Sequence, residues 1–530
     1  MIYVIGSGPA GISCACALLQ QGLPVTMLDA GIELEPERRQ LVTELQHGSL
    51  DSWKPESLQV LKHNMTSNVK GIPEKLVYGS DFPFRDTDRL LAFEKHNVAP
   101  FTSLARGGLS NVWGSNVLPY TANDIEDWPI STSDLAPHYE AVLSFVNLSA
   151  VQDDLADRFP LYSNTYHPLR PSNQAAALLD DLNKNKSALN ASGIFFGSSR
   201  LAVRAQPNQH QSGCVYCGLC MYGCPYELIY NSAFTLKKLL RNERFTYLDN
   251  IIVHRITESN GDVNINATSR DKDEDIFFKG TRVYLACGVL ATTKILLESM
   301  GAFNTPVKLL DSQYFLVPML QYKKTRNVDK ESLHTLSQVY LEVLDIFISH
   351  RSILLEVYTY NDLYHVVLRN MFGPIYPLLK FPINELLSRL TIILGYLHSD
   401  VSPYISVTLI PGQNSRRNIL RLESGNQNRI TKNVIKRVIR KLVKNRSYLR
   451  AVPVSSLLQI TEPGKSAHCG GTFPMRHQPS YFETDVLGRP YGFEHVHVVD
   501  ATVFPSIPAT TITLTVMANA HRIGSAFREH

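Results

Sequence analysis

Three groups of residues in this chain have types and spacings that suit chemistry. The first is Cys214, Cys217, Cys220 and Cys224, with Gly213, Gly218, Gly223 and Pro225 supplying turns among them. This is the ferredoxin spacing, in which several thiolates turn toward one iron–sulfur cluster. Zinc held by four thiolates is a rival, although its usual form is two separated C-x-x-C knuckles. A purely structural thiol cluster is a third reading, and disulfides are disfavoured in a reducing compartment. The second group is Gly6-Ser7-Gly8-Pro9-Ala10-Gly11, with G-x-G-x-x-G spacing. Gly6 permits a tight turn, Gly8 lets a diphosphate approach the backbone beside Pro9 and Ala10, and Gly11 allows a helix to pack closely on a strand. Asp29, followed by Ala30, stands where a carboxylate can accept a ribose hydroxyl. An acid there argues against an NADP 2′-phosphate but does not separate FAD from NAD. The third group surrounds His468, in His468-Cys469-Gly470-Gly471-Thr472. Imidazole is the ordinary side chain for taking an alcohol proton near neutral pH. A histidine taken alone is more often a surface or structural residue.

These groups need elements to hold them. Ile2–Ile5 is an apolar run of strand length, residues 12–20 read as a helix, and Val25–Leu28 as a second strand ending at Asp29. The βαβ unit so formed points a helix amino terminus at phosphate charge. With 530 residues, 44% hydrophobic and 19% charged, the chain can bury a large core, and disorder is excluded as its main state. A formal charge of +4 gives no electrostatic case for nucleic acid. Eight cysteines are too dilute for a secreted disulfide framework. The first 28 residues carry no charge, but glycines and Pro9 interrupt them and no basic region precedes, so a signal peptide is not expected. Apolar runs between 312 and 399 are broken by Lys323, Glu342, Arg351, Lys380 and Arg389. The expectation is a soluble, cytoplasmic protein without a transmembrane segment; a peripheral membrane contact stays open.

Further segments add a resemblance. Gly107-Gly108-Leu109-Ser110-Asn111-Val112-Trp113-Gly114 is similar to a GG-x-S-x-x-W-G loop, and Val283-Tyr284-Leu285-Ala286-Cys287-Gly288 leads through Thr292 into a helical stretch. Val498-Val499-Asp500-Ala501-Thr502-Val503-Phe504-Pro505 follows near the carboxyl terminus. Together with the first loop and the histidine motif, in this order, they resemble the glucose–methanol–choline (GMC) oxidoreductase family from residue 1 to about 525, with little to match between 305 and 450. The resemblance implies FAD. It places Gly107, Gly108, Ser110, Asn111, Trp113 and Gly114 near the diphosphate or flavin, a backbone contact to adenine at Val253, and Gly288 closing over the cofactor. Asp500, Ala501 and Thr513 would lie along its flavin end. His468 would take the substrate hydroxyl proton as hydride leaves for flavin N5. The family's second active-site residue, a His or Asn, is here Thr511, which can share hydrogen bonds but cannot hold a proton as imidazole does. The cysteine run resembles GMC-type sugar dehydrogenases whose iron–sulfur cluster relays electrons. It equally fits a C-G-x-C-x-x-G-C pattern that many family members carry without a known cluster.

The fold expected is α/β: a discontinuous Rossmann-like FAD-binding domain of residues 1–125, 206–305 and 455–530, plus an α+β substrate domain of 126–205 and 306–454 with an antiparallel sheet. Trp128-Pro129-Ile130, then Ser133, Asp134, Leu135 and Tyr139, resembles the helix opening that domain. Residues 353–358 and 404–410 read as strands. Residues 428–450 read as a basic amphipathic helix, with Val434, Ile435, Val438, Ile439, Leu442 and Val443 on its apolar face. Its cations suit anionic lipid, a phosphorylated substrate or an acidic redox partner; a solvated face is the plainer reading. The reaction implied is oxidation of a small-molecule CH–OH group, such as a sugar or glycoside alcohol, to a carbonyl. Electrons would pass to oxygen, to an acceptor protein, or outward through the cysteine cluster. Two other readings stand beside it: an electron-transfer flavoprotein with no alcohol substrate of its own, and a non-redox GMC-like lyase.

Overall fold

The structure is a computed structural model that describes residues 1–62, 75–207, 212–412, 417–425 and 428–527. Strand β1 (Ile2–Ile5) and strand β2 (Val25–Leu28) are buried along their whole length and flank helix α1 (Pro9–Gln20), as the βαβ pattern requires. Helix α1 starts on Pro9, which has no N–H to leave unpaired, and its early residues are almost entirely buried. Gly11 is needed for packing: a Cβ there would lie 1.9 Å from the Gly6 carbonyl oxygen. The sheet is parallel throughout, in the order Val496–Val498, Arg282–Leu285, β1, β2, Phe245–Leu248. Its strands therefore come from distant parts of the chain. The carboxyl-terminal helix Ile512–Ser525 closes the layer against α1, with the Ser13 hydroxyl donating to the Met517 carbonyl at 2.6 Å.

A second, antiparallel sheet runs Ala451–Pro453, Tyr314–Gln321, Leu390–Tyr396, Ser349–Tyr358, Val339–Asp345, Ile194–Ser198, with Gln459–Ile460 also pairing on Tyr314–Gln321. Side chains on a strand alternate between faces, and here the two faces have different tasks. Along Ser349–Tyr358, Ile353, Leu355 and Val357 pack with Val434, Ile435, Val438, Ile439 and Leu442 of the basic helix Asn428–Lys444. Leu354 instead joins Tyr314, Tyr340 and Tyr396, and Glu356 and Tyr358 line a cleft. The basic helix stops at Lys444, and Asn445 separates it from a single further turn, Arg446–Leu449. The helix expected after Trp128 is Thr132–Leu143, with Ser131 and Asp134 forming a capping box. A third sheet, Cys469–Gly470, Pro306–Asp311, Ile405–Ile410, Ile419–Ser424, Phe93–His96, carries the histidine motif at its edge. The architecture is the expected α/β combination of a Rossmann-like parallel sheet with an antiparallel sheet beside it. No helix among the described residues is long and apolar enough to cross a membrane.

Candidate active site

Between the parallel and antiparallel sheets lies a cavity of about 450 Å³. It is lined by Gly6, Gly8, Pro9, Ala10, Asp29, Ala30 and Val253, and also by His468 and Thr511. Gly108, Ser110, Trp113, Gly114, Gly288, Asp500, Ala501 and Thr513 line the remainder. The structure thus gathers residues from six stretches of chain around one space. Three expected contact residues do not line it. Gly11 packs α1 on β1. A Cβ on Gly107 would meet the Asn231 side-chain oxygen at 2.5 Å, so Gly107 makes room for Asn231. The Asn111 amide donates to the Arg106 and Gly108 carbonyls at 3.0 and 2.7 Å and shapes the loop from within.

The walls fit a dinucleotide. A Cβ on Gly8 or on Gly288 would meet nothing within 4 Å, so both backbones border open space. Gly288 has φ +80°, which suits glycine. The Ser7 hydroxyl joins the two Gly-rich loops: it donates to Asp29 at 2.5 Å and accepts the Gly107 N–H at 2.9 Å. Asp29 also accepts from the Tyr247 hydroxyl at 2.8 Å and the Ser7 N–H at 3.3 Å. A carboxylate has about four acceptor sites, so one further bond, such as a ribose hydroxyl, can be received. Asp500 plays a bracing part: it accepts the Gly288 N–H at 3.0 Å, the Thr292 hydroxyl at 2.6 Å and the Thr502 N–H at 3.0 Å. Burial raises the pKa of both acids against these bonds.

His468 sits where the edge strand Cys469–Gly470 begins, with its backbone pinned by the Ser466 hydroxyl, which accepts its N–H, and by the Ser312 N–H, which donates to its carbonyl, each at 3.0 Å. Its ring stacks on Tyr396, centroids 4.9 Å apart and planes 25° from parallel. Nδ1 is buried without a hydrogen-bond partner. Burial drives its pKa down to about 4, which keeps the imidazole neutral and ready to accept. Asp311 holds the loop before it, accepting the Gly464 N–H at 3.0 Å and the Ser466 hydroxyl at 2.8 Å, and burial raises its pKa to about 6. Thr511 caps the last helix, and its hydroxyl oxygen accepts the Leu118 N–H at 3.0 Å, leaving its hydrogen to donate.

Sequence reasoning missed the opposite wall. Glu356, 1% exposed, lines the cleft with Tyr358, Asn116 and Tyr396. The Tyr358 hydroxyl donates to it at 3.0 Å, yet burial outweighs that bond and raises its pKa to about 8. Burial thus favours the neutral acid at pH 7. The available signal was one acid in the apolar strand Ile353-Leu354-Leu355-Glu356-Val357.

The expectation of an iron–sulfur or other metal ligand set at Cys214, Cys217, Cys220 and Cys224 is not met. Among the described residues, no three Cys, His, Asp or Glu side chains converge so as to hold a metal ion. Cys214, Cys220 and Cys224 pack against Leu201, Val203, Leu228 and Leu336, whereas Cys217 packs with Val42, Leu45, Leu61 and Tyr222. Burial, with the neighbouring cysteines, pushes the Cys214 and Cys217 thiols up to about 12 and Cys224 to about 11 in the metal-free protein. The run lies beside the cleft, which Met221 lines.

Comparison with known proteins adds to this geometry. Residues 425–520, the segment carrying His468, Asp500 and Thr511, match the GMC oxidoreductase family. Pyridoxine 4-oxidase from Mesorbium loti superposes with a TM-score of 0.60 at 12% identity, over 100% of this chain and 99% of that one. A formate oxidase variant from Aspergillus oryzae, made to study FAD modification, does so with a TM-score of 0.61 at 12% identity, over 99% and 97%. At such identity the likeness concerns the fold. No curated protein matches the chain in sequence. The segment that holds the histidine is thus similar to the GMC oxidoreductase family, and the fold is shared over the whole length with two oxidases.

Proposed function

We propose that the protein binds FAD along the cleft and oxidises a CH–OH group of a small molecule to a carbonyl, with His468 as the base. One observation carries this reading: a single cavity joins the phosphate-type loop at Gly6–Ala10 to a half-buried histidine whose Nδ1 is buried without a hydrogen-bond partner. The neighbours in fold support it, being oxidases by name, one of them studied for its FAD. When bound, FAD supplies the acceptor for the substrate's hydride. The protein's own residues do the rest. Gly6, Gly8, Pro9, Ala10 and Gly108 cradle the diphosphate, Asp29 takes a ribose hydroxyl, Val253 meets the adenine, and Gly288, Ala501 and Thr513 border the far end. On this reading residues 1–125, 206–305 and 455–530 form the cofactor unit, and 126–205 with 306–454 the substrate unit. His468 accepts the hydroxyl proton, and the Thr511 hydroxyl donates to the substrate oxygen. Glu356, protonated, and Tyr358 offer hydrogen bonds to polar groups on the rest of the substrate. The electrons pass on to oxygen or to an acceptor protein.

The test is spectroscopic. Purified protein shows flavin bands near ~370 and ~450 nm. With a substrate found by screening alcohols anaerobically, His468→Ala slows flavin reduction by roughly a hundredfold or more, the usual worth of a general base. Colourless protein that takes up no FAD removes the cofactor. Reduction of the variant at the parent rate removes His468 as the base, whereas failure of every alcohol to reduce the parent flavin favours an electron-transfer protein.

A further inference from the structure

Between the strands Ser349–Tyr358 and Leu390–Tyr396 the chain leaves the sheet for an insert: helix Leu363–Phe372, the 3-10 segment Gly373–Leu379 and helix Lys380–Leu387. From 371 to 382 it reads Met-Phe-Gly-Pro-Ile-Tyr-Pro-Leu-Leu-Lys-Phe-Pro, with Lys380 the one charge. A segment this apolar is expected to be buried. Instead Met371 is 65% exposed, Ile375 54%, Leu378 83% and Phe381 77%. Contiguous exposed apolar surface of this kind marks an interaction site. The root of the insert is firmly held. Asp362 accepts the Tyr222 hydroxyl at 3.0 Å and pairs with Lys62 at 2.5 Å, and the Gln174 amide donates to the Leu387 carbonyl at 2.9 Å. Leu363, Ile383 and Leu387 are buried beneath. The apolar tip is thus presented outward by a pinned base.

We propose that this insert docks the protein on a membrane leaflet carrying anionic lipid. Charge selects that occupant. The insert's acids are neutralised within the protein, Asp362 by Lys62 and Glu385 by Lys324 at 3.0 Å. Arg369 lies over the Tyr376 ring at 5.4 Å, and neither it nor Lys380 has an acidic partner among the described residues. The tip therefore shows apolar side chains flanked by two cations, Arg369 and Lys380, the pattern of an interfacial anchor beside anionic headgroups. Side chains that project singly also suit a fluid acyl boundary, which needs no complementary pocket. The three short elements, broken by Pro374 and Pro377, lie in the interface rather than span it.

Sedimentation of the full-length protein with vesicles tests this. Vesicles of phosphatidylcholine with one third phosphatidylglycerol should bind it at least tenfold more tightly than phosphatidylcholine alone, and 0.5 M NaCl should remove that preference. The double change Leu378→Glu and Phe381→Glu should weaken binding to both vesicle types at least tenfold without moving the melting temperature. Arg369→Glu with Lys380→Glu should abolish only the phosphatidylglycerol preference. The proposal is overturned if the parent protein stays in the supernatant at millimolar lipid, or if the Leu378/Phe381 variant binds as the parent does. It is equally overturned if that variant turns a lipid-free dimer into a monomer while the parent ignores vesicles, for then a second copy covers the tip.

Discussion

Gly8 and Gly11 lie three residues apart in one loop, and the structure gives their replacement opposite consequences. Gly8 has φ −64° and ψ 178°, a conformation any residue adopts, and a Cβ there meets nothing within 4 Å. Gly8→Ala should leave the cofactor-free fold as stable as the parent, or raise it by about 0.4–1 kcal/mol through a less flexible unfolded chain. On the proposed binding mode the new methyl occupies the space where the diphosphate meets the backbone, so FAD would have to retreat. Each hydrogen bond to a charged group so weakened is worth about 1.5–3 kcal/mol, which is roughly a tenfold to hundredfold loss of affinity. At Gly11 the Cβ lies 1.9 Å from the Gly6 carbonyl oxygen, a backbone atom that cannot rotate away. Helix α1 must then lift off β1, at about 3 kcal/mol or more. With roughly 2 cal/mol/K of unfolding entropy per residue, that lowers the melting temperature by about 3 °C for a chain of 530 residues. The assay is differential scanning calorimetry of protein stripped of FAD, paired with FAD titration followed at ~450 nm. A Gly8→Ala protein that binds FAD like the parent would refute placing the diphosphate at this loop. One that melts several degrees lower without FAD would refute the claim that the space is open.

Further outcomes follow from the buried groups. With the His468 pKa near 4 and the Glu356 pKa near 8, kcat/KM should hold from about pH 5 to 7.5, fall in acid as His468 protonates, and fall in base as Glu356 ionises; an acid limb centred near 6.5 would show that bound cofactor resolvates the histidine. Glu356→Gln, an uncharged mimic of the acid, should keep activity at pH 7 within about threefold and remove the alkaline limb, whereas a loss of tenfold or more at every pH would show that the ionised form is the working one. Because folding raises the Glu356 pKa from 4.5 to about 8, its stabilising contribution is complete below about pH 4.5 and gone above about pH 8; urea midpoints of parent and Glu356→Gln protein at pH 5, 6.5 and 8 should diverge accordingly. Cys214, Cys217 and Cys224, half-buried and with raised pKa, should react slowly with a thiol reagent at pH 7.5 and faster once urea is added; iron recovered in proportion to protein would instead show that the four thiols hold a cluster.

The parts of this protein that the sequence by itself determined are those governed by neighbours along the chain. The βαβ unit was legible because glycine spacing, apolar runs and Asp29 act within thirty residues of each other. The basic helix was legible because burial at a period of 3.6 shows in the pattern itself, and Val434, Ile435, Val438, Ile439 and Leu442 are the residues that pack. His468 stands out in the sequence only because its motif resembles a family; nothing in its own five residues says that Tyr396 stacks on it or that its surroundings lower its pKa. Tertiary structure alone decided the partners drawn from far away. Tyr247 reaches Asp29, Leu118 reaches Thr511, and Tyr340 and Leu394 flank Glu356 in the sheet. The cysteine run shows the limit most plainly. Its spacing permits convergence, but whether thiols ligate or stay protonated depends on the side chains that surround them. Here Leu201, Val203, Leu228 and Leu336 surround Cys214, Cys220 and Cys224, while Val42, Leu45 and Leu61 surround Cys217, so the run lies in apolar surroundings. Spacing along a chain sets what can meet, whereas desolvation, which fixes charge and reactivity, is a property of the packed neighbourhood.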